Sequence, residues 1–85
     1  MYKIIKITNI DGTPRTDGRY PLRIGCTGNC EFLKVDYPLL FAYDLDANGN
    51  EKRGTLQTSI VTNINHEAKH IEVTTRNSIY ILALI

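Results

Sequence analysis

The sequence predicts an all-β fold, a small, twisted antiparallel barrel of about six or seven short strands, on three observations. Residues Thr55 to Ile85 contain two β-branched runs around a polar turn and end in IYILALI, where apolar side chains occupy both alternation phases. Short apolar runs elsewhere are separated by Asp-Gly, Asn-Gly and proline, which are turn residues. No segment carries the period of an amphipathic helix of useful length. Successive strand residues face opposite ways, so Ile79, Ile81, Ala83 and Ile85 line one face of the last strand and Tyr80, Leu82 and Leu84 the other. Both faces then need cover, from a closed barrel, a second layer or another subunit, and a homo-oligomer is expected.

In chain order, Tyr2 to Thr8 (YKIIKIT) reads as a strand with Lys3 and Lys6 facing solvent. NIDGTPRTDG is a mobile loop, and Arg19 to Gly25 (RYPLRIG) a strand with Tyr20, Leu22 and Ile24 on one face and Arg19 and Arg23 on the other. CTGNC (Cys26 to Cys30) reads as a tight hairpin tip, followed by strands at Glu31 to Tyr37 and, after Pro38, Leu39 to Asp46. DANGNEKRG closes a hairpin into the arm Thr55 to Asn63. Asn65 to Lys69 is a polar turn, Ile71 to Thr75 a strand, Arg76-Asn77 a bend, and Ser78 to Leu84 the last strand. The barrel implied is SH3-like or OB-like.

At 85 residues the chain is one domain with a thin core. With 42% hydrophobic and 22% charged residues it has a globular composition, and no apolar run reaches the ~20 residues of a membrane helix. The opening MYKIIKITNIDG lacks the apolar stretch and cleavage site of a signal peptide, so the expected compartment is the cytoplasm. A net charge of +1 argues against a generic polyanion binder, but the charge is uneven. Residues 1 to 24 carry five cations against two acids, whereas residues 31 to 51 carry five acids against one cation. If the fold keeps those stretches apart, one end of the barrel is cationic and the other anionic.

Three motifs bear on chemistry. Asp44 to Gly49 matches the D-x-D-x-N-G opening of a calcium loop, but the twelfth position is Thr55 where a bidentate glutamate belongs, so the segment reads as an Asn-Gly hairpin with solvated acids. Cys26-x-x-x-Cys30 and His66-x-x-x-His70 have zinc-ligand types, yet 35 residues separate the pairs; free thiols and exposed turn histidines are expected, with no metal and no cofactor. A disulfide between the two cysteines would need their Cα atoms within ~7 Å. No nucleophile elbow, paired carboxylates or phosphate-cradling glycine loop is present, and the chain is expected not to be an enzyme.

The stronger candidate is a set of cationic and hydroxyl groups. Arg19, Tyr20 and Arg23, with Arg76, Asn77, Ser78 and Tyr80 at the last bend, could supply guanidinium forks for phosphate and rings for a base. Thr58, Ser59, Thr74 and Thr75 are further donors if they share that surface. The alternative is that the threonines are ordinary strand formers, the arginines a solvated face and the tyrosines the edges of the core.

LQTSIV followed by IEVTTRNSIYIL resembles small uncharacterised phage and mobile-element proteins of gut Gram-positive bacteria. Thr58-Ser59, Val73, Thr75, Asn77-Ser78 and Tyr80 carry the pattern. The resemblance covers about the last thirty residues and implies counter-defence, by sequestering a nucleotide signal or by occluding a host surface. The expected function is therefore a binding module for an anionic, nucleotide-like ligand or a nucleic-acid segment. The runner-up is an inhibitor or virion component whose protein partner lies against YPLLFAY, Tyr37 to Tyr43.

Overall fold

A computed structural model describes residues 1–85. Six strands, β1 (Tyr2–Thr8), β2 (Thr27–Phe32), β3 (Pro38–Leu45), β4 (Thr55–His66), β5 (His70–Thr75) and β6 (Ile79–Leu84), form a closed barrel in sequential order. Every pairing is antiparallel, and β1 closes the barrel against β6 from Tyr2 opposite Leu84 to Thr8 opposite Ile79. The small antiparallel barrel read from the sequence is the fold. No helix is long and apolar enough to cross a membrane.

One cluster of 11 buried side chains fills the interior, including Ile4, Ile7, Phe41, Val73, Tyr80 and Leu82. Ile4 and Ile7 are three residues apart, a spacing that in a regular strand points to opposite faces. The pairing of β1 with β6 shifts register between Ile4 and Lys6, and this bulge turns both isoleucines inward while Ile5 stays exposed. Leu56 and Val61 on β4 are also an odd number apart, and both strands flanking β4 shift register against it. That accounts for the imperfect alternation of the TLQTSIVTN arm.

The final strand divides as its alternation demands. Tyr80 and Leu82 enter the core, whereas Ile79, Ile81 and Ala83 are half-buried outside. Lys3 lies opposite Ala83 and Lys6 opposite Ile81 on one side, with His70 and Glu72 at the same levels on the other. The stems of such long side chains shelter neighbouring apolar surface.

Four local readings are corrected. Arg19 to Gly25 is a corner, with a single helical turn, α1 (Tyr20–Arg23), in place of a strand. Pro21 suits the first turn of a helix, and Gly25, at φ +91°, ends it and donates its N–H to the Ile4 carbonyl. Leu22 consequently lies exposed. CTGNC is no hairpin tip: Thr27 to Cys30 lie within β2. Gly28 is required by contact, because a Cβ there would sit 2.1 Å from the Ala42 carbonyl oxygen on β3. The strand expected over Glu31 to Tyr37 stops at Phe32, and the chain then turns through Asp36 at φ +78°, a conformation aspartate tolerates better than most residues. Finally, β4 continues to His66, so the NHEAK turn shrinks to Glu67–Lys69.

Gly28→Ala should lower the urea midpoint of unfolding by the equivalent of about 1–3 kcal/mol or more, because backbone meets backbone and neither strand can yield. Gly12→Ala, at φ +91° but with open space around it, meets no such backbone contact and should cost less.

Candidate functional site

The corner at α1 and the start of β4 enclose a cleft of about 310 Å³ between them, lined by Arg19, Leu22, Arg23, Tyr43, Lys52, Thr55, Leu56 and Gln57. Three of these residues are cations and none is an acid. Ion pairs form only between Arg15 and Asp17 and between Arg53 and Glu51, so Arg19, Arg23 and Lys52 have no carboxylate partner.

Aromatic rings support two of the three cations, Arg23 and Lys52, in place of carboxylates. The Arg23 guanidinium lies 4.5 Å from the Tyr20 ring centroid, and its Nη1 donates to the Tyr80 hydroxyl at 2.9 Å. The Lys52 ammonium lies 4.8 Å from the Tyr43 ring, which stands edge-on to buried Phe41. A ring's electron-rich face attracts a cation without neutralising it, so the charge remains available to a ligand. Burial pushes the Tyr80 and Tyr43 phenols upward, with the nearby Arg23 charge opposing, so both stay protonated at neutral pH.

Of the residues singled out from the sequence, Arg19, Tyr20, Arg23 and Tyr80 meet here. Their roles differ from those expected. Tyr80 is only 2% exposed and Tyr20 lies beneath two guanidiniums, of Arg15 at 4.1 Å and of Arg23, so neither ring is a free stacking face. Arg76, Asn77 and Ser78 lie outside the cleft and build the β5–β6 turn. Thr75 Oγ1 accepts from the N–H groups of Asn77 and Ser78, and Arg15 Nη1 donates to the Asn77 carbonyl and to Ser78 Oγ. The loop expected to be mobile is thus tied down through Arg15 and through the bridge from Thr8 to Pro14. Thr58 is spent locally, donating to the Ser59 carbonyl and accepting from Leu39 N–H.

Lys52, Tyr43, Thr55 and Gln57 were not among the residues chosen from the sequence. The signal for Lys52 was present: the DANGN turn folds it back so that its N–H donates to the Asp44 carbonyl, beside Tyr43. The same turn defeats the expectation of separate charged ends. Pro21, Leu22 and Ile24 share a groove with Asp46, Ala47, Asn48 and Lys52, and a Cβ at Gly25 would meet the Ala47 Cβ at 2.8 Å.

The other motifs resolve plainly. Asp46 Oδ1 accepts from the N–H groups of Asn48 and Asn50, which organises a turn. Cys26, just before β2, and Cys30, within it, are free thiols, remote in sequence from His66 and His70 on the β4–β5 hairpin, and no group of three or more histidines, cysteines and acids is placed to hold a metal ion. No family model, curated protein or solved structure matches the chain.

Tyr80→Phe removes only the oxygen that accepts from Arg23, and should cost about 1 kcal/mol of stability in urea unfolding. The Cys30 thiol is pushed from 9.0 to about 11 by burial. An unfolded chain loses this proton first, so the folded state is favoured below pH 9 and loses that advantage as pH rises toward 11. Cys30→Ala should flatten the fall in stability across this window, as read from urea midpoints at successive pH values.

Proposed function

We propose that the barrel is a non-enzymatic binding module for a phosphate-bearing ligand, a nucleotide-type molecule or a nucleic-acid segment, held in the Arg19–Arg23–Lys52 cleft. The observation that supports this reading is the convergence of three unpaired cations on one concavity without a lining acid. Like charges gathered without counter-charge repel one another, and an anion in the cleft relieves that repulsion. Arginine contributes a planar fork suited to phosphate oxygens and lysine a point charge, while Thr55 and Gln57 add neutral donors. The volume lies at the small end of the ~300–1,000 Å³ of ligand pockets. In the counter-defence role that the sequence resemblance implies, such a cleft would act by sequestration.

In the runner-up, a protein partner against YPLLFAY, two of the seven side chains, Leu39 and Phe41, are wholly buried in the core and out of a partner's reach.

Pyrophosphate titrated calorimetrically tests the reading. Arg19→Ala and Lys52→Ala should each weaken binding by about 1.5–3 kcal/mol, the range for hydrogen bonds to charged groups, and Arg76→Ala should leave it unchanged. Affinity should also fall as salt rises from about 0.05 M to about 0.3 M. No heat of binding, or equal affinity in both cleft variants and the parent protein, would dispose of the assignment.

A further inference from the structure

The cationic cleft has a neighbour. Gln57, which lines it, also lines a second cavity of about 340 Å³ walled by Phe32, Tyr37, Pro38 and Leu40. Strand register explains the adjacency: Leu40 on β3 lies opposite Phe32 on β2 and opposite Gln57 on β4. Paired residues share a face, so Phe32, Leu40 and Gln57 form one row across the outside of the barrel. Here the aromatic surface is more accessible than at Tyr20 and Tyr80, with one lysine, Lys34, over the Tyr37 ring. Phe32 is 40% and Tyr37 50% exposed, and their rings meet edge to face at 5.5 Å.

Charge differs between the two cavities. The Phe32–Tyr37 cavity has no charged lining residue; the Lys34 ammonium lies 5.6 Å from the Tyr37 ring, and exposed Glu31 and Asp36 precede Phe32 and Tyr37 in sequence. The other cavity has three cations and no acid. An anion is therefore favoured at the Arg19–Arg23–Lys52 end, and a flat neutral group at the Phe32–Tyr37 end.

We propose that the ligand is a single nucleoside phosphate lying along the β3–β4 face, with its phosphates in the cationic cleft, its base against Phe32 and Tyr37, and Gln57 between them. This rests on the phosphate-binding reading above and goes further in naming the ligand class and a second subsite. A nucleic-acid strand carries a phosphate on either side of each base, whereas the three-cation cluster lies on one side only of the aromatic cavity, whose far side offers Lys34 alone. One cluster of cations beside one aromatic cavity matches a free nucleotide better than a strand. Stacking on an aromatic side chain is tolerant of base identity, so discrimination among bases falls to the Gln57 amide.

Calorimetry with pyrophosphate, the four nucleoside diphosphates (ADP, GDP, CDP and UDP) and a short single-stranded oligonucleotide tests the proposal. At least one diphosphate should bind about ten-fold or more tightly than pyrophosphate. Tyr37→Leu and Phe32→Leu, which keep an apolar side chain and remove the ring, should bring that nucleotide down to the pyrophosphate level and leave pyrophosphate itself unaffected. Unchanged urea midpoints would show that both variants are folded. If pyrophosphate binds and no nucleotide binds more tightly, or if the oligonucleotide binds more tightly than every nucleotide, the second subsite is wrong and the cationic cleft stands. If pyrophosphate does not bind, the underlying reading fails as well.

Discussion

Pairing of the first strand with the last is the constraint on which the rest of this structure depends. Six antiparallel strands in sequential order form an open meander until β1 meets β6, and an open meander of this size has two unpaired edges and an apolar face with nothing against it. Closure gives Ile4, Ile7, Tyr80 and Leu82 a common interior. It also needs the bulge near Ile5, because without that phase change Ile4 and Ile7 could not both point inward. In a chain of this length few buried side chains are available, and each must be directed to the same core.

Closure also dictates the corner that carries the site. The first strand runs to Thr8 and the second begins at Thr27 beside Lys3, so the intervening segment must return almost the full length of β1. It does so as a tethered loop and one helical turn. Arg15 fastens the loop to the β5–β6 turn, and Gly25 brings the chain back to Ile4. Arg19 and Arg23 are carried by this return path, and the β3–β4 loop delivers Lys52 to the same place. Three cations thus meet because of the route of two connections.

Aromatic residues are used in two ways on this barrel. Tyr20, Tyr43 and Tyr80 are half or fully buried and hold cations in position through ring faces and one phenolic oxygen. Such support orients a guanidinium while preserving its net charge, which a carboxylate partner would cancel. Phe32 and Tyr37 lie at the far end of β2 and in the turn before β3, where their rings remain accessible. The first group orients cations and the second is accessible surface.

The sequence by itself determined the fold class and the position of most strands. Strand alternation in IYILALI and IEVTT, β-branched composition in YKIIKIT and turn chemistry in DANGN are local properties, and local properties survive into the folded state. Arg19 and Arg23 were legible as cations of interest for the same reason. Only the tertiary structure decided that RYPLRIG turns a corner, that Gly28 serves a close strand contact and that Tyr80 is buried beneath Arg23. It alone placed Lys52 beside those arginines and removed Arg76, Asn77 and Ser78 to a separate turn. Each of these facts is a meeting between residues far apart in the chain, set by which strands pair and in what register. Alternation reports which way a side chain leaves its own strand, and carries no information about what it will meet there.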